Sequence, residues 1–153
     1  LFGFCTGQEQ YDEAATMTPG REVVSHPLPW GVLRLGICYD LRFPELFRLG
    51  PAPDFIALPA AFTHTTGLAH WALLLRARAV ENLAFVFASA QGGHHPGGRR
   101  TFGHSMIIDP WGRILAQVEE GQGMAIATLD LAAQRTVRSQ LPALTHRKIA
   151  VGP

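Results

Sequence analysis

The stretch "GVLRLGICYDLRFPELFR", residues 31–48, decides how this chain is read. An apolar run, Val32 to Ile37, ends in a cysteine, Cys38. Tyr39, Asp40, Leu41 and Arg42 follow, and then Phe43-Pro44-Glu45 opens a helix. Pro44 suits the first helical turn and Glu45 the positive end of the helix dipole. In open α/β sheets, chemistry gathers just beyond the carboxyl ends of strands. A nucleophile on a tight strand-to-helix turn is exposed to substrate while the sheet holds its backbone. Backbone N–H groups at the start of the next helix favour a thiolate and a nearby oxyanion. Judged by residue type alone, Cys38 is more simply a small buried hydrophobe closing a strand. Asp40, Arg42 and Glu45 fit ion pairing in a structural turn as well as they fit a site.

Working outward, "REVVSHPLPWGVLRLGICYD" reads as two short strands around a turn at Pro27 to Gly31, and "LFGFCTGQEQYDEAATMTPG" before it reads as irregular. The helix after Cys38 stops near Gly50-Pro51. "DFIALPAAF" and "LAFVFASAQ" are continuous apolar runs, the mark of strands buried on both faces. Between them "TGLAHWALLLRARAVEN" is the clearest helix, capped by Thr65 or Thr66, with Arg76, Arg78 and Glu81 at its polar positions. Trp71 and Leu75 lie in its exposed-looking stretch, Leu68 to Val80, and serve pairing between copies or plain core packing. "QGGHHPGGRRTFG" reads as a flexible loop. "HSMIIDPWGRILAQV" reads as a hairpin around Asp109-Pro110-Trp111-Gly112, "GMAIATLDL" as a last strand and Leu131 to Leu141 as a last helix. The tail "PALTHRKIAVGP" reads as extended. The pattern predicts an α/β layered fold, a mixed sheet covered by helices, in a single domain over residues 1–153.

The totals exclude several function classes. The chain has 153 residues, enough for one domain with a real core, and 47% are hydrophobic against 16% charged. A net charge of +1 gives no drive toward nucleic acid or a membrane surface. Twelve basic residues are Arg and Lys148 is the only lysine. Two cysteines, Cys5 and Cys38, make no disulfide framework, which points to a reducing compartment and a cytoplasmic location. No apolar run reaches transmembrane length and no leader pattern is present. The opening on Leu1-Phe2, without Met, reads as a fragment whose upstream part lies outside this sequence.

"GVLRLGICYDLRFPELFR" resembles the nucleophile segment of the carbon–nitrogen hydrolase (nitrilase) superfamily, closest to its amidase branch with ω-amidase and deaminated-glutathione amidase. "YDEAATMTPG" before it, and "LPAAFTHTTGLAHWALLLRARAVEN", "GHSMIIDPWGRILA" and "LDLAAQRTVRSQLPALTHRK" after it, continue the likeness in order along nearly the whole chain. The resemblance implies an α-β-β-α sandwich of the nitrilase type with its N-terminal part missing. It implies a cofactor-free amidase that cleaves a linear, non-peptide amide through a thioester and releases ammonia. A nitrilase or an N-carbamoyl amide hydrolase on the same fold is an alternative, and so is a truncated, non-catalytic subunit.

The family uses a Glu-Lys-Cys triad with a second Glu nearby. By resemblance Cys38 is the nucleophile, Glu13 the second glutamate, and the Tyr39 N–H an oxyanion donor. The lysine and the general-base glutamate would lie upstream of Leu1, and Lys148 matches no motif. Arg42 suits a bidentate grip on a substrate carboxylate, as a dicarboxylate monoamide requires, or an ion pair with Glu45 or Asp40. Ala60, Ala61, Phe62 and Thr63, just past a buried strand, line the pocket or simply pack there. Glu81 is expected in an ion pair with Arg78 or Arg76. His104 and Ser105 lack the G-x-S-x-G spacing and read as polar groups starting a strand. His94-His95 have no ligands at zinc spacing, and their loop lacks the Gly-Lys-Ser/Thr ending of a phosphate loop, so neither metal nor nucleotide is expected. The expected partners are a small amide substrate and further copies of the chain in a homodimer or larger assembly.

Overall fold

The computed structural model describes residues 1–6 and 9–149, with the backbone alone for residues 4–6 and 9–11. Its centre is a six-stranded mixed sheet built from β3 (Ser25–Leu28), β4 (Gly31–Leu35), β5 (Phe55–Ala60), β6 (Phe85–Ala90), β9 (Ser105–Ile108) and β10 (Ile114–Val118). The strand order is β10-β9-β6-β5-β4-β3. Strands β4, β5 and β6 run parallel, and the two flanks are antiparallel hairpins. The apolar runs that predicted buried strands are the parallel centre of this sheet, where both faces need apolar side chains.

Two helices cover one face, α1 (Pro44–Arg48) and α2 (His64–Asn82). Ile56, Leu58, Val86, Ala88, Met106 and Ile108 alternate along three strands onto that face, as the twofold pleat requires. They form one buried core with Trp71, Leu75 and Ala79 of α2, Phe47 of α1, and Leu41. Burying each of the larger side chains contributes roughly 1.5–3 kcal/mol. Trp71 and Leu75 are therefore core residues, both fully buried, while Leu68, Leu73 and Val80 are the large exposed apolar positions of α2, at 66%, 67% and 45%. Arg78 is also buried and is no solvent-facing position: its Nε donates to the Leu41 carbonyl and its Nη1 meets Glu81 at 2.6 Å. Helix α2 starts at His64, ahead of the expected caps Thr65 and Thr66, with Thr63 at its N-cap. Gly67 lets it approach the next layer, because a Cβ there would stand 2.3 Å from Phe102 Cβ.

On the opposite face Phe55 stacks between Phe85 and Phe87, with ring centroids 6.1 and 6.2 Å away. Leu28, Trp30, Leu33 and Leu129 complete an apolar hollow of about 440 Å³. Helix α3 (Leu131–Gln140) is tied to the start of β5 and to the turn before β6. Gln134 Nε2 donates to the Asp54 and Leu83 carbonyls, and Arg138 pairs with Asp54 at 2.5 Å.

Four expectations need correction. Residues 123–130 form no strand, having no ladder partner among the described residues, and Met124 and Ile126 stay 79% and 77% exposed. The opening segment is irregular only in part: β1 (Gly3–Thr6) and β2 (Glu9–Asp12) pair antiparallel, while residues 17–20 carry no regular structure. The glycine-rich loop contains a second hairpin, β7 (Gly92–His94) with β8 (Arg100–Phe102). In the tail, Ala143–His146 makes a single helical turn, α4, where an extended chain is expected.

Candidate functional site

Strand β4 delivers the chain to Cys38 through Gly36 and Ile37. Cys38 takes a left-handed backbone conformation, φ 47°, which is costly for a residue with a side chain. It opens a 3₁₀ turn, Cys38–Arg42, and α1 follows at Pro44, where the sequence places the helix start. Asp40 closes that turn. Its carboxylate accepts from the Ile37 N–H at 2.8 Å, and its own N–H donates to the Ile37 carbonyl at 2.9 Å. Two buried arginines brace the same unit. Arg34 of β4 reaches under α1 and donates to the Leu49 and Pro51 carbonyls at 2.6 and 2.9 Å. Arg78 of α2 holds the Leu41 carbonyl at 3.0 Å.

Cys38 is half-buried and lines a small cavity together with Glu13, Tyr39, Arg42, Phe62 and Thr63. Ala61, Thr66, Phe2 and Arg99 complete its wall. The enclosed space is about 20 Å³, room for one water-sized group. Larger hollows, beside Trp111 and on the open sheet face, contain no cysteine. The structure thus brings together all seven residues singled out from the sequence: Cys38, Glu13, Tyr39, Arg42, Ala61, Phe62 and Thr63. Ala60, the eighth pocket candidate, packs against the core behind them.

Glu13 starts a 3₁₀ turn after β2, and its carboxylate accepts from the Phe2 N–H at 2.8 Å. Arg42 forms neither ion pair weighed for it. Its guanidinium faces His70 Nδ1 at 3.3 and 3.4 Å and lies over the Phe62 ring at 5.2 Å, a cation–π distance. Glu81 pairs with Arg78, as expected, and with Arg48 at 3.6 Å, whereas Arg76 donates to the Gly112 carbonyl instead. Ser105 begins β9, also as expected, and His104 just before it has φ 61°.

The expectation of a thiolate favoured by a helix end is corrected. Burial pushes the Cys38 thiol up from its ordinary value, and Glu13 and Asp40 push it the same way. A backbone hydrogen bond with Ala61 and the charge of Arg99 oppose them. The leading physical cause is the partial burial of the sulfur, which disfavours its charged form. The balance of these groups favours the protonated sulfur, so its attack calls for a base. Among the described residues no group of three or more His, Cys, Asp or Glu could hold a metal ion. No described helix is long and apolar enough to cross a membrane.

Sequence reasoning missed Arg99, Thr66 and His70. Arg99 belongs to the glycine-rich loop, where zinc and phosphate ligands were the signals sought. An arginine directly after the paired glycines Gly97-Gly98 is the signal that marks it.

The carbon-nitrogen hydrolase family model matches residues 5–139. The deaminated glutathione amidase of Synechocystis sp. is 49% identical over 141 residues, covering 90% of this chain and 52% of that protein. The chain spans about half the length of this relative. The crystal structure of the C. elegans NitFhit protein matches with a TM-score of 0.83 at 42% identity, over 97% of this chain and 37% of that one. An amidase from Nesterenkonia sp. AN1 matches with a TM-score of 0.74 at 27% identity, over 89% of this chain and 49% of that one. Its structure, that of a glutamate-to-glutamine mutant, carries the acetamide moiety of fluoroacetamide covalently added at the active site cysteine. These matches place the mixed sheet and its helices in the nitrilase-superfamily fold.

Proposed function

The chain belongs to the carbon–nitrogen hydrolase family, and from that premise we propose that the whole protein hydrolyses a linear, non-peptide amide through a thioester on Cys38. One observation carries this reading. The strained Cys38 at the end of β4 shares a cavity with Glu13, Arg42 and the β5 end. Named amidases among the relatives support it.

In the proposed reaction Cys38 Sγ attacks the amide carbon and its proton passes to a carboxylate base. The carbonyl oxygen becomes an oxyanion facing the Tyr39 N–H. Collapse breaks the C–N bond, and the base returns the proton to the departing ammonia. Water then cleaves the thioester, releasing the acid and the free thiol. Arg42, aimed by His70, is the proposed grip on a substrate carboxylate, and Ala61, Phe62 and Thr63 shape the acyl pocket.

The raised thiol value means that attack waits on a base. Glu13 is a poor candidate, because it already accepts the Phe2 N–H and raises the thiol further. By family resemblance the base and an oxyanion-binding lysine lie outside these 153 residues. Missing one oxyanion donor costs about 10²–10³ in rate. We therefore expect the 153-residue chain alone to show negligible turnover and the full-length parent to be active.

The test is ammonia release from a dicarboxylate monoamide, with mass spectrometry of the quenched enzyme. The parent is expected to turn over and to accumulate an acyl adduct on the Cys38 peptide, and Cys38→Ser is expected to lose both. Full activity in Cys38→Ser, or near-parent turnover by the 153-residue chain, would refute the assignment.

A further inference from the structure

The β7–β8 hairpin lies outside the strand-turn-helix that carries Cys38, yet the loop between its strands sends a side chain into the same cavity. Thr101 of β8 bridges to Thr63, and the Phe102 N–H donates to the Phe62 carbonyl at 2.9 Å. Within the hairpin, the His95 N–H donates to the Arg99 carbonyl at 2.8 Å, and His95 Nε2 meets the Thr101 hydroxyl at 2.6 Å. Gly97 and Gly98, at φ 85° and 83°, make a reversal that residues with side chains resist. Arg99 follows them and is turned inward. Its Nη2 donates to the Ala61 carbonyl at 2.8 Å, and it lines the cavity with Cys38. Arg99 holds Ala61 at its carbonyl, and the Ala61 backbone in turn favours the anionic form of the Cys38 sulfur.

We propose that Arg99 is a positioning residue for Cys38: it fixes the Ala61 segment against the sulfur and keeps a permanent cation in the cavity, favouring the anionic nucleophile. The geometry suits arginine. Its planar fork gives one N–H to a carbonyl while the delocalised charge stays in place at any working pH. Glu13 and Asp40 act on the sulfur with the opposite sign, and Arg99 offsets part of their effect. The inference rests on reading Cys38 as the nucleophile. Its test reads the charge on the sulfur, not turnover, so an inactive enzyme would leave this result standing.

The experiment is alkylation of the 153-residue chain by iodoacetamide, followed on the Cys38 peptide by mass spectrometry from about pH 6 to 10, the range that spans ordinary thiol titration. Cys5 is read on its own peptide. Arg99→Gln and Arg99→Met are expected to slow alkylation near neutral pH by roughly 3- to 10-fold, the effect of losing one partly screened charge, and to move the rate–pH curve to higher pH. Arg99→Lys is expected to keep the curve close to that of the unmodified chain. Unchanged curves in Arg99→Gln and Arg99→Met would overturn the proposal. So would unfolding of both, read by circular dichroism, beside a folded Arg99→Lys, since the positive charge would then serve the fold and not the sulfur.

Discussion

At the scale of single residues, the charge on Cys38 is a contest among groups from four segments. Burial, Glu13 and Asp40 favour the thiol, while Arg99 and the Ala61 backbone favour the thiolate. This contest gives a test with opposite signs in two assays. Glu13→Gln removes a negative charge near the sulfur, so the rate–pH curve for alkylation of Cys38 should shift to lower pH. The same substitution in the full-length parent should reduce amidase turnover, since Glu13 lines the Cys38 cavity and is by family resemblance its second glutamate. A curve shifted upward in Glu13→Gln would mean that the carboxylate does not face the sulfur.

At the scale of elements, the strand-turn-helix around Cys38 is braced by buried arginines whose partners are backbone carbonyls. Arg34 is fully buried in the middle of β4, with Ser25 Oγ and the Leu49 and Pro51 carbonyls as acceptors. Its burial lowers its own proton affinity, and the carbonyl cluster keeps the charge tolerable. Arg34→Met would strand those acceptors in the interior. The expected loss is about 3 kcal/mol, read as a lower urea midpoint. Gly67→Ala tests the approach of α2 to β8. The added methyl would overlap Phe102, so a cost of about 1–3 kcal/mol is expected, with a displaced β7–β8 hairpin. Because that hairpin carries Arg99, Gly67→Ala should also slow Cys38 alkylation.

At the scale of the whole molecule, the two sheet faces differ. The helix-covered face is sealed, whereas the other holds the apolar hollow with Trp30, 67% exposed, in its wall; Leu35 and Ile126 are further uncovered apolar side chains, at 40% and 77%. A contiguous apolar surface of this kind drives association. At tens of micromolar the 153-residue chain is expected to sediment as more than a monomer and to bind a hydrophobic dye. Leu35→Lys combined with Ile126→Glu should reduce both signals. Monomeric behaviour of the unmodified chain, with no dye binding, would contradict this account.

The amino-acid sequence by itself determined the elements whose signal is local. Continuous apolar runs marked β5 and β6, the long helical pattern marked α2, and an apolar run ending in cysteine put Cys38 at the tip of β4. Family likeness added Glu13 and the β5 end, and the cavity contains them. Tertiary structure decided what depends on distant segments. Residues 123–130 formed no strand, having no ladder partner among the described residues, and Arg78 went into the core because Leu41 offered its carbonyl. The charge of the sulfur was likewise a tertiary outcome. Periodicity is written in neighbours a few residues apart. The field at one atom, by contrast, sums over every group that folding brings near it, and Glu13 and Arg99 reach Cys38 only through the assembled sheet.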